Sequence, residues 1–401
     1  MPQTPPANVI ELLQAMVRID SVNGKVTGRA CAEDELAAML TRLASTWMME
    51  TELLPVQGFG EGRSDQLLIT HRVGEDRPWI LFDSHMDTVT AEGMTIDPFG
   101  GELFDGNVLG RGTCDTKGTG AAMLWALHQY QLGSERPNNI ALLFSTDEEI
   151  AMTGIQSFVK HDLPRLAWSP DLVVVGEPTE HTPVVAHNGC VRFEITTHGK
   201  AAHSSVPSEG RSAIADMVKA LALLHERYID PLDVEHPLTG HAACSVNLIS
   251  GGSAPNIIPE RCVAEVDRRI VPGEPAPDSP GGVLTEVRAL LDELAGEDAG
   301  FRYDIHVRVH HPPLLPESSA QILPLVKHAM AEHGVRRPTV GAPFATHASY
   351  LANAGLPTLV FGPGSPYPAH TKDEWVSVKE IEQGAKVYAS IMQMEFSELM
   401  A

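Results

Sequence analysis

Trp79-Ile80-Leu81-Phe82-Asp83-Ser84-His85-Met86-Asp87-Thr88-Val89 carries an apolar strand directly into a histidine and an aspartate. The same event recurs along the chain. Ile140-Ala141-Leu142-Leu143-Phe144 is followed by Glu148-Glu149, Leu172-Val173-Val174-Val175 by Glu177, and Pro357-Thr358-Leu359-Val360-Phe361 by His370. Open α/β sheets bind ligands at the carboxyl ends of their strands. Recurrence at that place predicts one site, with two histidines and enough carboxylates to hold two divalent cations.

Outward from this stretch, strands and helices alternate: strand 79–84, helix 117–131, strand 139–145, helix 153–161, strand 171–176. Before them, Val9, Leu12, Leu13, Met16 and Val17 recur at helical spacing, as do Leu36, Met39, Leu40 and Leu43 in a second helix over 31–46. This order predicts an α/β fold with a mostly parallel sheet. At Val191-Arg192-Phe193-Glu194-Ile195 the pattern changes to the apolar and polar alternation of a half-exposed antiparallel strand. A helix over 211–228, strands near 243–250 and 261–270, a helix over 281–295 and a strand near 302–309 complete a β-α-β-β-α-β order, the ferredoxin-like split pattern. After Pro312-Pro313, a helix over 318–333 and the strand 357–362 return to the first style. The expected organisation is a discontinuous larger domain, 1–187 and 311–401, with an α+β domain inserted at 188–310.

The 401 residues suit two domains, and 43% hydrophobic with 20% charged residues describes a folded chain. A formal charge of -23 argues against nucleic acid and against anionic membrane as partners. Met1-Pro2-Gln3-Thr4-Pro5-Pro6 lacks the basic start and apolar core of a signal peptide, and no apolar run reaches the ~20 residues of a membrane span. The five cysteines follow no CxxC spacing, so no disulfide framework is expected and the compartment reads as cytoplasmic.

Each polar residue also has an ordinary reading. His85 suits a metal through one ring nitrogen while Asp87 fixes the other, the carboxylate–histidine–metal arrangement; a strand-end histidine beside a helix-capping aspartate is the alternative. Gly110-Arg111-Gly112-Thr113-Cys114-Asp115-Thr116-Lys117-Gly118 places Asp115 in a glycine-bounded turn, where two carboxylate oxygens can bridge two cations or one can cap a helix. Of Glu148 and Glu149, one can ligate while the other serves as general base; an acidic helix start competes with that. Glu177 precedes the rigid Pro178, and His370 lies in a proline-rich, apolar loop.

Taken in order, SHMDTV, GRGTCDTKG, STDEE, GEPT and PAHTKDE, from residue 84 to 374, resemble the zinc-dependent family of acetylornithine deacetylase, succinyl-diaminopimelate desuccinylase, aminoacylase and carboxypeptidase G. Gly199-Lys200-Ala201-Ala202-His203-Ser204-Ser205 is similar to the family's lid-domain histidine motif. Gly251 to Pro259 followed by Asp267-Arg268-Arg269 is similar to its asparagine and arginine signature. The resemblance implies a di-metal catalytic domain with a ferredoxin-like lid and dimerisation domain. It implies two divalent ions, zinc first and cobalt or manganese as substitutes. His85 and Glu177 would hold one, Glu149 and His370 the other, with Asp115 between them and Asp87 orienting His85. Glu148 would be general base for attack of a metal-activated water on the amide of an N-acyl amino acid. His203 would stabilise the oxyanion from the other subunit of a homodimer, and Asn256 and Arg269 would hold the substrate. A dipeptidase or carboxypeptidase of the same chemistry is the alternative, and a catalytically silent binding protein a more distant one.

One departure stands out. Many relatives read Gly-Thr-Asp-Ala where this chain has Ala345-Thr346-His347-Ala348, so Thr346 and His347 are expected near the substrate's polar end, with His347 open to a ligand role. Elsewhere, His310-His311 reads as a surface pair between domains, and His225, His236 and His241 as surface residues of the insert. Cys114 reads as a buried space-filling thiol, and Met123 and Trp125 as core.

Overall fold

The computed structural model of the chain describes residues 5–396. Two compact units emerge. One comprises Met1–Val185, Pro316–Val340 and Thr346–Ala401; the other comprises Ala186–Leu315 and Gly341–Ala345.

The first unit begins with helices α1 (Val9–Val17) and α2 (Asp34–Thr46), each burying an apolar stripe. Strands β1 (Glu50–Leu54), β2 (Gln66–His71) and β3 (Trp79–His85) follow, then helix α3 (Lys117–Leu132) and strand β4 (Asn139–Ser145). Short helix α4 (Thr153–Ser157) leads to β5 (Leu172–Val175) and β6 (Val184–His187). The second unit supplies β7 (Gly189–His198), α5 (Ala213–Leu224), β8 (Ala243–Gly251), β9 (Arg261–Ile270), α6 (Val283–Glu297) and β10 (Arg302–His311). The chain continues through α7 (Leu323–Glu332), β11 (Val340–Ala342), α8 (Ala348–Asn353), β12 (Thr358–Val360) and α9 (Val378–Gln393).

Eight strands form a sheet in the order β1-β2-β4-β3-β5-β12-β6-β11. It is mixed, not mostly parallel. The pairings β4–β3, β3–β5 and β5–β12 are parallel, while β1–β2, β2–β4 and β12–β6 are antiparallel. β3 and β4 are buried along their whole length, so their apolar runs sit in the middle of the sheet with helices over them. Full burial of a side chain such as Phe82 or Leu142 contributes about 1.5–3 kcal/mol. Because the four central strands are parallel, their carboxyl ends share one edge. The pairs His85 with Ser145 and Asp83 with Val175 set the register there.

The second unit has a four-stranded antiparallel sheet in the order β8-β9-β7-β10, with its elements in β-α-β-β-α-β sequence. Val191, Phe193 and Ile195 of β7 pack with Ala213, Met217 and Ala220 of α5 and Val287 and Leu291 of α6. His310 is exposed as expected, but His311 is buried, because β10 continues two residues past the expected end and turns His311 inward.

Among the described residues no helix is long and apolar enough to cross a membrane. One buried histidine gives the first unit a defined acid response. His181 is held neutral: burial pushes its pKa down to about 4, although the Glu380 carbonyl, 3.1 Å from Nε2, favours the proton. The unfolded chain therefore binds more protons than the folded one as pH falls from the ordinary histidine value toward 4. Stability present above ~6.5 is lost across that window, by about 3 kcal/mol from this residue. Melting His181→Phe and the parent at pH 7.5 and 4.5 should show a smaller acid destabilisation in the variant. Equal losses would contradict the assignment.

Candidate metal centre

The sheet edge gathers the residues that end its parallel strands. His85 closes β3 and is buried. Its Nδ1 lies 2.9 Å from the Asp87 carbonyl and 3.4 Å from the Asp87 carboxylate. Asp87 thus orients the imidazole, but chiefly through its main chain. The carboxylate is engaged elsewhere: it accepts Asn23 Nδ2 at 2.8 Å and the backbone N–H groups of Glu148 and Glu149 at 3.0 and 3.1 Å. With Nδ1 committed to a carbonyl, Nε2 is left to face the site, 3.1 Å from Asp115 Oδ1.

Asp115 sits in the turn before α3. The helix cap is Thr116, without a side-chain cap bond, so Asp115 is not spent on capping. Gly112 at φ 81° makes the turn possible; a Cβ there would lie 2.8 Å from Thr88 and 3.1 Å from Lys117. Both carboxylate oxygens of Asp115 are used, Oδ1 by His85 and Oδ2 by His370 Nε2 at 3.1 Å. His370, itself at φ 57°, also lies 3.0 Å from Glu149 Oε2. His85, Asp115 and Glu149 offer ligand atoms all within 4.8 Å of one another.

Glu148 and Glu149 follow β4 in a turn, with Asp147 at φ 59° and the next helix starting only at Thr153, so they are not an acidic helix start. Glu177 follows β5. A Cβ on Gly362, after β12, would meet the Glu177 carbonyl at 2.4 Å, which is why glycine stands there.

The electrostatics show what the cluster lacks. Burial, with Glu177 next, holds the Glu148 carboxyl well above the usual carboxylate range. Burial and the nearby Asp115 do the same to Glu177, and push Glu149 up to about 7. Bonds from His370 and His85 hold Asp115 ionised against its burial. Burial disfavours charge on His85, yet its bonds to Asp115 and Asp87 raise it well above an ordinary imidazole, and the Asp115 and Glu149 carboxylates push His370 up to about 11. Four acids, Glu177 buried and Asp115, Glu148 and Glu149 half-buried, gather with two imidazoles, a deficit of positive charge that divalent cations bound by oxygen and nitrogen would fill. The donor set fits such ions.

The other expected residues fall elsewhere. His203 pairs with Ile257 in a two-residue ladder of the second unit, beside Asn256, whose carbonyl accepts the Ser204 N–H at 3.0 Å. His203 is exposed, and its Nδ1 accepts the Ser205 N–H at 3.2 Å, which leaves Nε2 as the ring's donor. Arg269 Nε donates to Asp267 at 2.7 Å. Thr346 and His347 are buried, each 1% exposed. His347 Nδ1 lies 2.9 Å from Asp83 Oδ2 and 3.2 Å from Ser145 Oγ, so this nitrogen is turned onto the sheet, and His347 is not part of the His85, Asp115 and Glu149 group. Cys114 is buried with its thiol on the Ser365 carbonyl.

The residues that support the site were not expected from the sequence. Asp147 accepts from Asn23 at 3.0 Å, Lys25 at 3.1 Å and Arg63 at 2.8 Å, holding the turn that carries Glu148. Buried Glu33, pushed up to about 7 by burial and by Asp87, accepts Ser64 Oγ. Asp147 was within reach, being adjacent to Glu148. Asn23 and Glu33 carry no local signal.

The peptidase family M20/M25/M40 matches residues 81–394. An acetylornithine deacetylase of Pasteurella multocida is 29% identical over 375 residues, covering 90% of this chain and 91% of that protein. Among solved structures, an M20 family metallo-carboxypeptidase from Sulfolobus solfataricus superposes with a TM-score of 0.76 at 17% identity, over 97% of this chain and 99% of the other. A dinuclear metal binding peptidase of that family from Bacillus subtilis gives 0.69 at 16% identity, over 98% and 99%. The chain belongs to the peptidase family M20/M25/M40, whose members hydrolyse amide bonds.

Proposed function

We propose that the protein is a two-metal deacylase of N-acyl amino acids, similar to acetylornithine deacetylase. The observation that carries this reading is Asp115: its two oxygens each face a different histidine at 3.1 Å, as a carboxylate between two cations would. In this reading His85 and Glu177 hold one ion, Glu149 and His370 the other, and zinc is the first candidate. The ions, when bound, would supply Lewis acidity to a water and to the scissile carbonyl.

The remaining chemistry belongs to the chain. Burial and the neighbouring acids raise the proton affinity of Glu148; it takes the proton of the attacking water and returns it to the leaving nitrogen. Asp87 fixes both His85 and the Glu148 backbone, so base and ligand are set by one residue. The Nε2–H of His203 is a donor suited to an oxyanion. Asn256 and Arg269 hold the substrate, the Arg269 guanidinium by donating to the substrate's carboxylate. We assign these three to a ferredoxin-like lid and dimerisation domain over 188–310, and the metal site to a catalytic domain over 1–187 and 311–401. The protein works in the cytoplasm as a homodimer, with His203 acting across subunits. Support for the dimer comes from β8, an edge strand with Leu248 62% and Ile249 56% exposed.

His203→Ala should lower turnover by ~100-fold or more, and mixing it with a Glu148 variant should restore part of the activity. Absence of any restoration in a mixture shown to exchange subunits would remove the cross-subunit role. The substrate class is tested with N-acetylornithine and other N-acetyl, N-succinyl and N-formyl amino acids against a panel of di- and tripeptides, with zinc or cobalt. Preference for the acyl amino acids is expected. Preference for peptides would make the protein an exopeptidase of the same chemistry.

A further inference from the structure

GRGTCDTKG and PAHTKDE each contain a residue that the site does not use, Arg111 and Glu374, and these two are joined. Glu374 is fully buried. Its Oε1 accepts the backbone N–H groups of Cys114 at 2.8 Å and Asp115 at 3.0 Å. Its Oε2 accepts the N–H of Gly112 at 3.0 Å and Arg111 Nη1 at 2.7 Å. All four acceptor positions of the carboxylate are filled. The Glu374 carbonyl takes a further bond, from the Gly110 N–H at 3.0 Å. Arg111, 3% exposed, extends the clamp: Nη2 donates to the Thr371 carbonyl and Nε to the Thr90 carbonyl, both at 3.0 Å.

Three segments are thereby tied at one buried ion pair: the loop after His85 and Asp87, the turn bearing Asp115, and the loop bearing His370. A buried charge pair with every partner present is costly to assemble and costly to break, so it holds one geometry sharply. Asp115 is gripped at its own N–H, and the next residue after His370 is gripped at its carbonyl.

We propose that Glu374 and Arg111 are positioning residues that set the separation of Asp115 and His370, and through it the affinity for the metal pair. This rests on the reading of Asp115 as the residue between two ions. Removing outer partners of a metal site commonly costs 10–100-fold in affinity. Glu374→Gln keeps the shape but turns an amide NH2 toward an N–H or toward Arg111. Arg111→Lys keeps a cation opposite Glu374 but gives up Thr90 and Thr371.

The test titrates chelated protein with Zn²⁺ or Co²⁺ alone, by calorimetry and by the visible absorption of bound Co²⁺, alongside melts of the metal-free proteins. Glu374→Gln should bind ~10–100-fold more weakly with an altered Co²⁺ spectrum, and Arg111→Lys ~3–10-fold more weakly. Parent-like affinity and spectrum in a folded Glu374→Gln protein would overturn the proposal, even if its metal-free form melts lower. Should Glu374→Gln fail to fold, Arg111→Lys decides, and unchanged affinity there overturns it. If the parent itself does not bind two ions, the reading of the site fails first and takes the clamp's role with it.

Discussion

Glu148→Ala is expected to lower kcat by ~10²–10⁴-fold while the protein keeps its metal. The reason is positional. Glu148 leaves the same turn as Glu149, yet only Glu149 lies against His370, and the Glu148 carboxyl is held high by burial and by Glu177, with Glu149 and Asp115 adding to it. A buried carboxylate with a raised proton affinity serves a base that must accept a proton near neutral pH and release it again. Its backbone N–H stays on Asp87 whatever the side chain, so truncation should leave the turn in place. Metal content by elemental analysis and steady-state kinetics together make the check. Undiminished hydrolysis would remove Glu148 from the reaction, and loss of metal would make it a ligand instead.

Asp115→Ala should have the larger effect on binding: metal content falls from two ions toward none, and activity with it. Both imidazoles lean on this one carboxylate, so its loss removes a shared partner from each half of the cluster. The metal-free variant offers a second readout. The His370 imidazole is pushed up to about 11, first by Asp115 and then by Glu149, so without Asp115 its titration by NMR should move down toward the ordinary histidine range. Retention of both ions by Asp115→Ala would contradict the shared role.

Much of this was legible before the structure because it lies in runs. The apolar stretches 79–82, 140–144 and 172–175 are the buried parallel strands β3, β4 and β5, and each hands its end to a polar residue of the site. What escaped has a different physical origin. β1 reads Glu50-Thr51-Glu52-Leu53-Leu54, largely exposed, so it has no apolar run to betray it, and in the buried runs β2 and β6 no periodicity marks the reversed direction that makes the sheet mixed. Helix α9 carries Ile381, Ala385, Tyr388 and Met392 at helical spacing and lies outside the elements expected from the sequence. The supports of the site are long-range hydrogen bonds, such as Asn23 to Asp87 and Glu374 to Asp115, and these leave no periodic mark on a sequence. His347 illustrates the same limit: its residue type departs from the relatives' pattern, but only the fold shows that it turns onto Asp83.

The central claim is that this cluster holds two cations and that both are needed. The most direct measurement is a titration of chelated protein with Zn²⁺, following bound ion and hydrolysis of an N-acyl amino acid together. Two equivalents should bind per chain, with full activity reached only as the second enters. Saturation at one equivalent, or full activity in metal-free protein, would contradict the account.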